Sequence, residues 1–276
     1  MRPHSVMTSL LIAALSCGPA HAAESVNFPG AQVTLKAFLY RPTGSGPFPA
    51  VVALHGCGGL YGKSGALSPR HADWAERLAA KGFMVLFPDS FGSRGAEAQC
   101  KTDDRVTSPS KERVDDALAA RSYLQSRPDV KADAISLLGW SNGGSTVLYA
   151  VEKRHRPRDG KPDFGKAVAF YPGCRAPAEH GTWHTRLPLM ILIGAADDWT
   201  PSAPCKSLAD TAGAASEPVS IIIYPGAYHD FDHPDLPIHE IEGLAFTANG
   251  NGRAHTGTNP AARQDALRRV PAFLLP

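Results

Sequence analysis

The sequence predicts a single α/β domain in which a mostly parallel, doubly wound sheet is flanked by helices. Short, continuous apolar runs alternate with segments of helical hydrophobic pattern, and such runs are typical of strands buried on both faces of a parallel sheet. No repeat, linker or low-complexity stretch divides the chain. With 276 residues and 43% hydrophobic content, the chain is long enough to bury a sizeable core.

Six apolar runs are interpreted as strands, at residues 50–54, 83–87, 134–138, 167–170, 189–193 and 219–224. Between them, helical patterns alternate with the strands, as in a doubly wound sheet. In open sheets of this kind, ligands bind beyond the carboxyl ends of the strands. The residues that directly follow each predicted strand are therefore the candidates for a functional site.

Four helices are predicted. The first begins at Ser68, an N-cap that is followed by proline, and it ends before Gly82. The second spans about 110–126, and the third begins just after Ser141. The fourth covers about 261–273 near the end of the sequence.

Residues 1–22 are predicted to be a secretory signal peptide that precedes a domain at 23–276. A basic start is followed by an apolar run at 7–15, and the sequence AHA at 20–22 supplies the small residues of a cleavage site. The apolar run is shorter than the roughly 20 residues that span a bilayer, and no later segment is long enough. We therefore expect an exported protein, periplasmic or secreted, without a stable membrane span; a lipid anchor at Cys17 is the alternative.

Four cysteines lie beyond the predicted signal peptide, at Cys57, Cys100, Cys174 and Cys205. An even number in an oxidising compartment permits two disulfides, with three possible connectivities. Cys174 follows one predicted strand and Cys205 lies past the next, so the favoured pairs are Cys174 with Cys205 and Cys57 with Cys100. The sequence alone leaves the other connectivities open.

Composition and motifs disfavour three other classes of site. Lys plus Arg number 28 against 26 Asp plus Glu, without a basic run, so no nucleic-acid partner is expected. Residues 62–64 (GKS) resemble the end of a P-loop, but Cys57 stands where its first glycine belongs. The His- and Asp-rich segment 229–240 lacks the HExxH spacing, so no metal site is predicted.

Ser141 is the candidate nucleophile. It stands in the sequence GWSNGG, after a predicted strand and before a predicted helix, which is the context of a nucleophile elbow. The turn is so tight that the positions two residues before and after the serine, Gly139 and Gly143, cannot carry side chains. The amide of Asn142 would then bind a developing oxyanion. A structural turn serine is the alternative interpretation.

A serine nucleophile requires a base and a carboxylate that orients the base. Asp197 and Asp198 follow the strand at 189–193, and His229 follows the strand at 219–224. The order serine, aspartate, histidine, each past its own strand, is the order of the α/β-hydrolases. The loop HGCGG after the strand at 50–54 predicts a second oxyanion donor, the amide of Cys57.

Over residues 32–274 the chain resembles the dienelactone hydrolase family of the α/β-hydrolase superfamily. The resemblance rests on the sequences GWSNGG, GAADDWTP and YPGAYHDF. It implies the α/β-hydrolase fold, the hydrolysis of esters or lactones, and no cofactor. In the family's G-x-x-D-x-x-x-P loop the triad aspartate lies four residues before the proline, which is Asp197, with Asp198 as the alternative; the triad histidine is His229.

The chain departs from this family at two positions. Family members carry a cysteine nucleophile where this chain has Ser141, and a glutamate roughly where it has Gly56. A conventional serine esterase mechanism is therefore predicted. The family's carboxylate-binding arginine corresponds, with an offset of one residue, to Arg94. Trp140 and Trp199 are candidates for an acyl pocket, or else they pack against neighbouring strands.

The sequence thus predicts an exported serine hydrolase that cleaves small-molecule carboxylic esters or lactones. A peptidase or amidase that uses the same residues is one alternative, and a non-catalytic binding protein on a hydrolase scaffold is another. Residues 230–258, rich in Pro, His and Gly, are expected to border the site. The natural substrate and the oligomeric state do not follow from the sequence.

Overall fold

Eight strands form one central sheet in the computed structural model, which describes residues 22–179 and 183–275. They are β1 (Ala22–Pro29), β2 (Thr34–Arg41), β3 (Phe48–Leu54), β4 (Met84–Pro88), β5 (Val130–Trp140), β6 (Ala167–Phe170), β7 (Leu189–Gly194) and β8 (Val219–Tyr224). Their order is β1-β2-β4-β3-β5-β6-β7-β8. The pairs β1/β2 and β2/β4 are antiparallel and the others are parallel, which confirms the predicted fold class.

Helices cover the sheet. They are α1 (Pro69–Ala80), α2 (Glu112–Gln125), α3 (Asn142–Ala150), α4 (Arg175–Glu179), α5 (Ser202–Ala214) and α6 (Pro260–Leu274). Four of them were predicted, whereas α4 and α5 were not. The buried residues of α5 are Cys205, Leu208, Ala209 and Ala212. Their spacing is that of one helical face, so the signal for α5 was present in the sequence.

The strands β1 and β2 were also missed by the sequence analysis. They form an antiparallel hairpin at the edge of the sheet. In β2 the buried side chains Leu35, Ala37 and Leu39 alternate with more exposed ones. This alternation is typical of a half-buried antiparallel strand, whereas the central strands were recognised by continuous apolar runs.

The inner strands place the predicted site residues at one edge of the sheet. Every residue of β4, β6 and β7 is buried, as expected for strands covered on both faces. Because β3, β5, β6, β7 and β8 run parallel, their carboxyl ends meet at the same edge. The loops that follow β3, β5, β7 and β8 carry Cys57, Ser141, Asp197 and His229 respectively.

A two-stranded ribbon lies in the segment between β8 and α6. Its strands, β9 (His239–Glu242) and β10 (Arg253–Thr256), pair antiparallel. An isolated parallel bridge joins Thr256 of β10 to His229, so the ribbon is attached directly to the segment of the candidate base. The predicted position of residues 230–258 beside the site is consistent with this attachment.

Two disulfides are present, Cys57–Cys100 and Cys174–Cys205, which are the favoured pairs. Their Cα–Cα distances of 4.9 Å and 5.0 Å are ordinary for disulfides. The first joins the loop after β3 to a segment after β4, and the second joins the end of the loop after β6 to α5.

The predicted signal peptide at 1–22 lies outside the described residues except for Ala22, the first residue of β1. Within residues 22–179 and 183–275, no helix is both long and apolar enough to cross a membrane.

Candidate active site

Ser141 occupies the turn between β5 and α3 in a strained conformation. Its backbone has φ 52° and ψ −114°, a region that residues with side chains rarely adopt. A Cβ atom at Gly139 would lie 2.3 Å from the carbonyl oxygen of Gly143, and one at Gly143 would lie 2.1 Å from the carbonyl oxygen of Leu54. Both positions therefore have room only for glycine, and the turn presents the Ser141 side chain at the end of the strand.

Asp197 and His229 form a buried hydrogen-bonded pair. The Nδ1 atom of His229 lies 2.8 Å from Oδ2 of Asp197, and the two residues are 1% and 4% exposed. The other carboxylate oxygen accepts the backbone amides of Trp199 at 3.0 Å and Thr200 at 2.8 Å. These amides hold the carboxylate in the orientation that faces the imidazole.

Asp198, the alternative to Asp197, points away from His229. Its Oδ1 accepts the backbone amide of His255 at 2.8 Å, and its Oδ2 lies 2.7 Å from Nδ1 of the same residue. The two adjacent carboxylates therefore bind different histidines. Of the two candidate carboxylates, the structure brings Asp197 to the imidazole.

The imidazole of His229 lies between two aromatic rings. The ring centroid of Tyr171 is 4.4 Å from that of His229, and the centroid of Trp199 is 4.6 Å from it. Within the described residues, the buried Nε2 atom of His229 has no hydrogen-bond partner. Since Nδ1 is bound to Asp197, Nε2 is the atom available for proton exchange, and catalytic hydrogen bonds often tighten only when substrate binds.

Both predicted oxyanion donors lie beside Ser141. Asn142 is the first residue of α3, so its amide has no acceptor within the helix. Cys57 lines the same cavity as Ser141 and Asn142. Its carbonyl oxygen accepts the amide of Gln99 at 2.7 Å, which fixes the orientation of the loop next to its disulfide partner.

Sequence reasoning missed Arg113, a fully buried residue of α2. Its guanidinium donates from Nη2 to the carbonyl oxygen of His55 at 2.7 Å and from Nη1 to the side-chain oxygen of Asn142. It therefore joins the two segments that carry the candidate oxyanion donors. Burial lowers the pKa of Arg113 to about 9. In the sequence it resembles an ordinary solvent-facing helix charge, so no local signal indicates this position.

A cavity of about 270 Å³ opens next to Ser141. Its walls come from the loops after β3, β6 and β7, the segment before α2, the starts of α3, α4 and α5, and the loop between β9 and β10. The charged side chains among its lining residues are Arg105 and Arg175, and the aromatic ones are Trp199 and Phe246. Residues 230–258 thus border the cavity through Phe246 and its neighbours, and Trp199 contacts both the cavity and His229.

Two predicted substrate contacts do not lie on this cavity. Arg94 forms a bidentate ion pair with the buried carboxylate of Asp116, at 2.8 Å and 2.9 Å. Trp140 is completely buried, and its indole N–H donates to Asp232 at 2.8 Å. The geometry therefore argues against a substrate contact for Arg94 or Trp140 and gives both a structural role, since their polar groups are already paired inside the fold.

We expect enzyme activity to fall at acidic pH as His229 becomes protonated. Burial acts to lower the pKa of His229, but the charge and hydrogen bond of Asp197 raise it above its ordinary value. The sequence predicts His229 as the general base, which must be neutral to accept a proton. We therefore expect kcat/KM to fall as the pH drops through this raised pKa, with a midpoint above about 6.5. A profile of kcat/KM against pH tests this, and a midpoint well below the ordinary histidine value would contradict it.

The Cys57–Cys100 disulfide is expected to affect activity more than Cys174–Cys205. The pairs close loops of similar length, with sequence separations of 43 and 31. Replacing either pair with serines should therefore cost similar stability, about 4 kcal/mol in the chain-entropy model. Loss of the first pair also frees the loop of the Cys57 amide, and we expect kcat to fall by about tenfold or more. Thermal unfolding measures the loss of stability in each double variant, and ester kinetics below the melting points measure kcat. Equal kcat values for the two double variants would contradict the expected difference.

Known proteins resemble this chain both in sequence and in fold. A model of the dienelactone hydrolase family matches residues 35–275. A predicted carboxymethylenebutenolidase of Synechocystis is 23% identical over an alignment of 218 positions, and the match covers 75% of this chain and 85% of that protein. The structure of a predicted dienelactone hydrolase from Klebsiella pneumoniae superposes with a TM-score of 0.68 at 19% identity, covering 92% of this chain and 98% of the other.

A relative that is named for thioester hydrolysis has a higher sequence identity to this chain than the carboxymethylenebutenolidase has. The mitochondrial acyl-coenzyme A thioesterase 2 of Rattus norvegicus is 36% identical over an alignment of 291 positions, and the match covers 87% of this chain. The match covers 57% of the thioesterase, so this chain spans little more than half of that protein's length.

Proposed function

Because the chain belongs to the dienelactone hydrolase family, we propose that it is a serine hydrolase that cleaves carboxylic esters or lactones. Membership makes it a hydrolase, and its relatives include proteins named for lactone and thioester substrates. The observation that carries the proposal is the buried pair of Asp197 and His229, with Nε2 of the imidazole unpartnered among the described residues. This pair lies at the same sheet edge as the strained turn of Ser141.

The proposed reaction begins with attack of the Ser141 hydroxyl on the substrate carbonyl. His229 accepts the hydroxyl proton at Nε2, while Asp197 holds Nδ1 and stabilises the imidazolium. The amides of Cys57 and Asn142 bind the oxyanion of the tetrahedral intermediate. Collapse of the intermediate breaks the ester bond, and His229 returns the proton to the leaving alkoxide. Water then attacks the acyl-enzyme by the same route and releases the acid.

Thioesters are a second candidate substrate class. The rat thioesterase is more similar in sequence than the carboxymethylenebutenolidase, at 36% against 23% identity. The same nucleophile, base and oxyanion donors serve thioester cleavage, in which a thiolate leaves instead of an alkoxide. Amide cleavage requires the histidine to protonate a much poorer leaving group, so a peptidase or amidase is less favoured. A binding protein on this scaffold would have no need for a paired imidazole and a strained serine.

We further propose that the protein is exported after cleavage following Ala22. The two disulfides support this proposal, because structural disulfides persist mainly in oxidising compartments. Fractionation of expressing cells, with mass measurement of the mature N-terminus, tests it; an intact leader in the cytoplasmic fraction would contradict it.

Matched substrates test the proposed reaction. An ester, a thioester and an anilide that share one acyl group separate the three leaving groups. We expect hydrolysis of the ester, and an anilide rate lower by about 100-fold or more. A fluorophosphonate probe provides a readout that is independent of substrate choice. If the wild-type protein is not labelled and no ester or thioester is cleaved, the hydrolase proposal is wrong.

A further inference from the structure

Asp232 is a buried carboxylate outside the candidate triad. It lies three residues beyond His229 and is 0% exposed. Its Oδ1 accepts the hydroxyl of Tyr171 at 2.6 Å, and its Oδ2 accepts the indole N–H groups of Trp74 at 2.7 Å and Trp140 at 2.8 Å. The three donors come from α1, from the end of β5 and from the residue after β6. One side chain therefore joins the histidine segment to three separate elements.

The donors to Asp232 are neutral, which makes its burial costly. The nearby guanidinium of Arg70 donates instead to Asp230 and, at 3.0 Å, to the hydroxyl of Tyr171. A buried carboxylate is seldom the most stabilising choice for a core position, because desolvation offsets much of what its hydrogen bonds contribute. Its specific partners therefore point to a role in geometry rather than in stability alone.

One branch of this network reaches the nucleophile. Trp140 immediately precedes Ser141, and its indole is stacked between Phe87 and Phe170 at centroid distances of 6.3 Å and 5.9 Å. The hydrogen bond to Asp232 sets the rotation of the indole within this stack. Because the strained backbone of Ser141 persists only when its surroundings hold it, a fixed Trp140 supports the position of the serine hydroxyl.

The other branch reaches the base. Tyr171 packs its ring against His229, and its hydroxyl is held by Asp232 and Arg70. Its carbonyl oxygen accepts the hydroxyl of Thr200 at 3.0 Å, and that hydroxyl lies 3.1 Å from Oδ2 of Asp197. Tyr171 has a positive φ of 35°, so its backbone is also held in a strained conformation. The ring of Tyr171 thus packs against the imidazole, and its carbonyl oxygen binds the loop that carries Asp197.

We propose that Asp232 is a positioning residue, which holds the nucleophile turn and the histidine segment at the separation that proton transfer from Ser141 to His229 requires. This inference rests on the proposed serine hydrolase function. Misplacement of reacting groups by about 1 Å can lower a rate by about 100-fold, so a residue that fixes this separation affects turnover without touching substrate.

Asp232→Asn tests the proposal with a side chain of nearly the same size. An amide has one accepting oxygen: if it accepts the two indole N–H groups, its NH2 group faces the Tyr171 hydroxyl, which then loses Asp232 as its acceptor. We expect kcat to fall by about 10- to 100-fold with little change in KM, and the rate of fluorophosphonate labelling to fall by the same factor. Tyr171→Phe keeps the ring against His229 but removes the hydroxyl, and should lower both rates by a smaller factor.

Asp163→Asn is the matched control. Asp163 forms an ion pair with Arg186 at 2.6 Å and lies before β6, at the opposite edge of the sheet. This variant should lose thermal stability and keep the wild-type kcat and labelling rate. Tyr171→Phe should cost little more when added to Asp232→Asn than the latter costs alone, because both remove the hydrogen bond from the Tyr171 hydroxyl to Asp232.

The positioning role is wrong if Asp232→Asn melts lower, as Asp163→Asn does, but keeps kcat and labelling rate within about twofold of the wild type. If Asp232→Asn does not fold, the same criterion applies to Tyr171→Phe. The wild-type labelling reaction separates this failure from that of the underlying proposal: an unlabelled wild type overturns the serine hydrolase function itself.

Discussion

Replacement of Ser141 with alanine should lower kcat by about 10⁴-fold or more and abolish fluorophosphonate labelling. The variant loses the atom that we propose attacks the carbonyl, whereas the proposed oxyanion donors and the cavity beside Ser141 remain. Some rate above that in water should persist for this reason. Ester hydrolysis under saturating substrate and gel detection of the probe measure the two effects.

Ser136→Ala is the matched control for this experiment. Ser136 lies on β5, the strand that precedes Ser141, and both serines are buried, so each substitution removes one buried hydroxyl. The control should be labelled and active like the wild type. Labelling of the Ser141→Ala protein at an equal rate would place the reactive serine elsewhere and contradict the proposed mechanism.

Replacement of Asp197 with asparagine should lower kcat by about 10⁴-fold. An amide at this position can donate to Nδ1 of His229, which would place the imidazole proton on Nε2, where the base must accept one. Loss of the negative charge also lowers the pKa of His229, because that carboxylate is what raises it. The acidic limb of the kcat/KM profile should therefore move to lower pH in any residual activity.

Asp198→Asn tests which of the two adjacent carboxylates orients His229. Its carboxylate binds His255 rather than His229, so this variant should retain activity within about tenfold of the wild type. Comparison of the two variants on one ester is sufficient. If Asp198→Asn were the more damaging substitution, the assignment of Asp197 as the orienting carboxylate would be wrong.

The partners of Arg94 and Trp140 lie far along the chain, and nothing in the sequence indicated them. The carboxylate of Asp116, 22 residues away, binds Arg94, and Asp232, 92 residues away, binds Trp140. Arg113 and Asp232 carry no local pattern that separates them from surface charges. Such contacts form only where loops and helices come together in the folded protein. The periodicity of the sequence contains no information about them.

The sequence alone determined the fold class, the favoured disulfide pairs and the order of the candidate nucleophile, carboxylate and base. These depend on local features: apolar runs that become buried strands, glycines that permit a tight turn, and polar residues directly after strands. Only the tertiary structure decided that Asp197, and not Asp198, faces His229. The direction of each side chain is set by partners far along the chain, 32 residues away for Asp197 and 57 for Asp198.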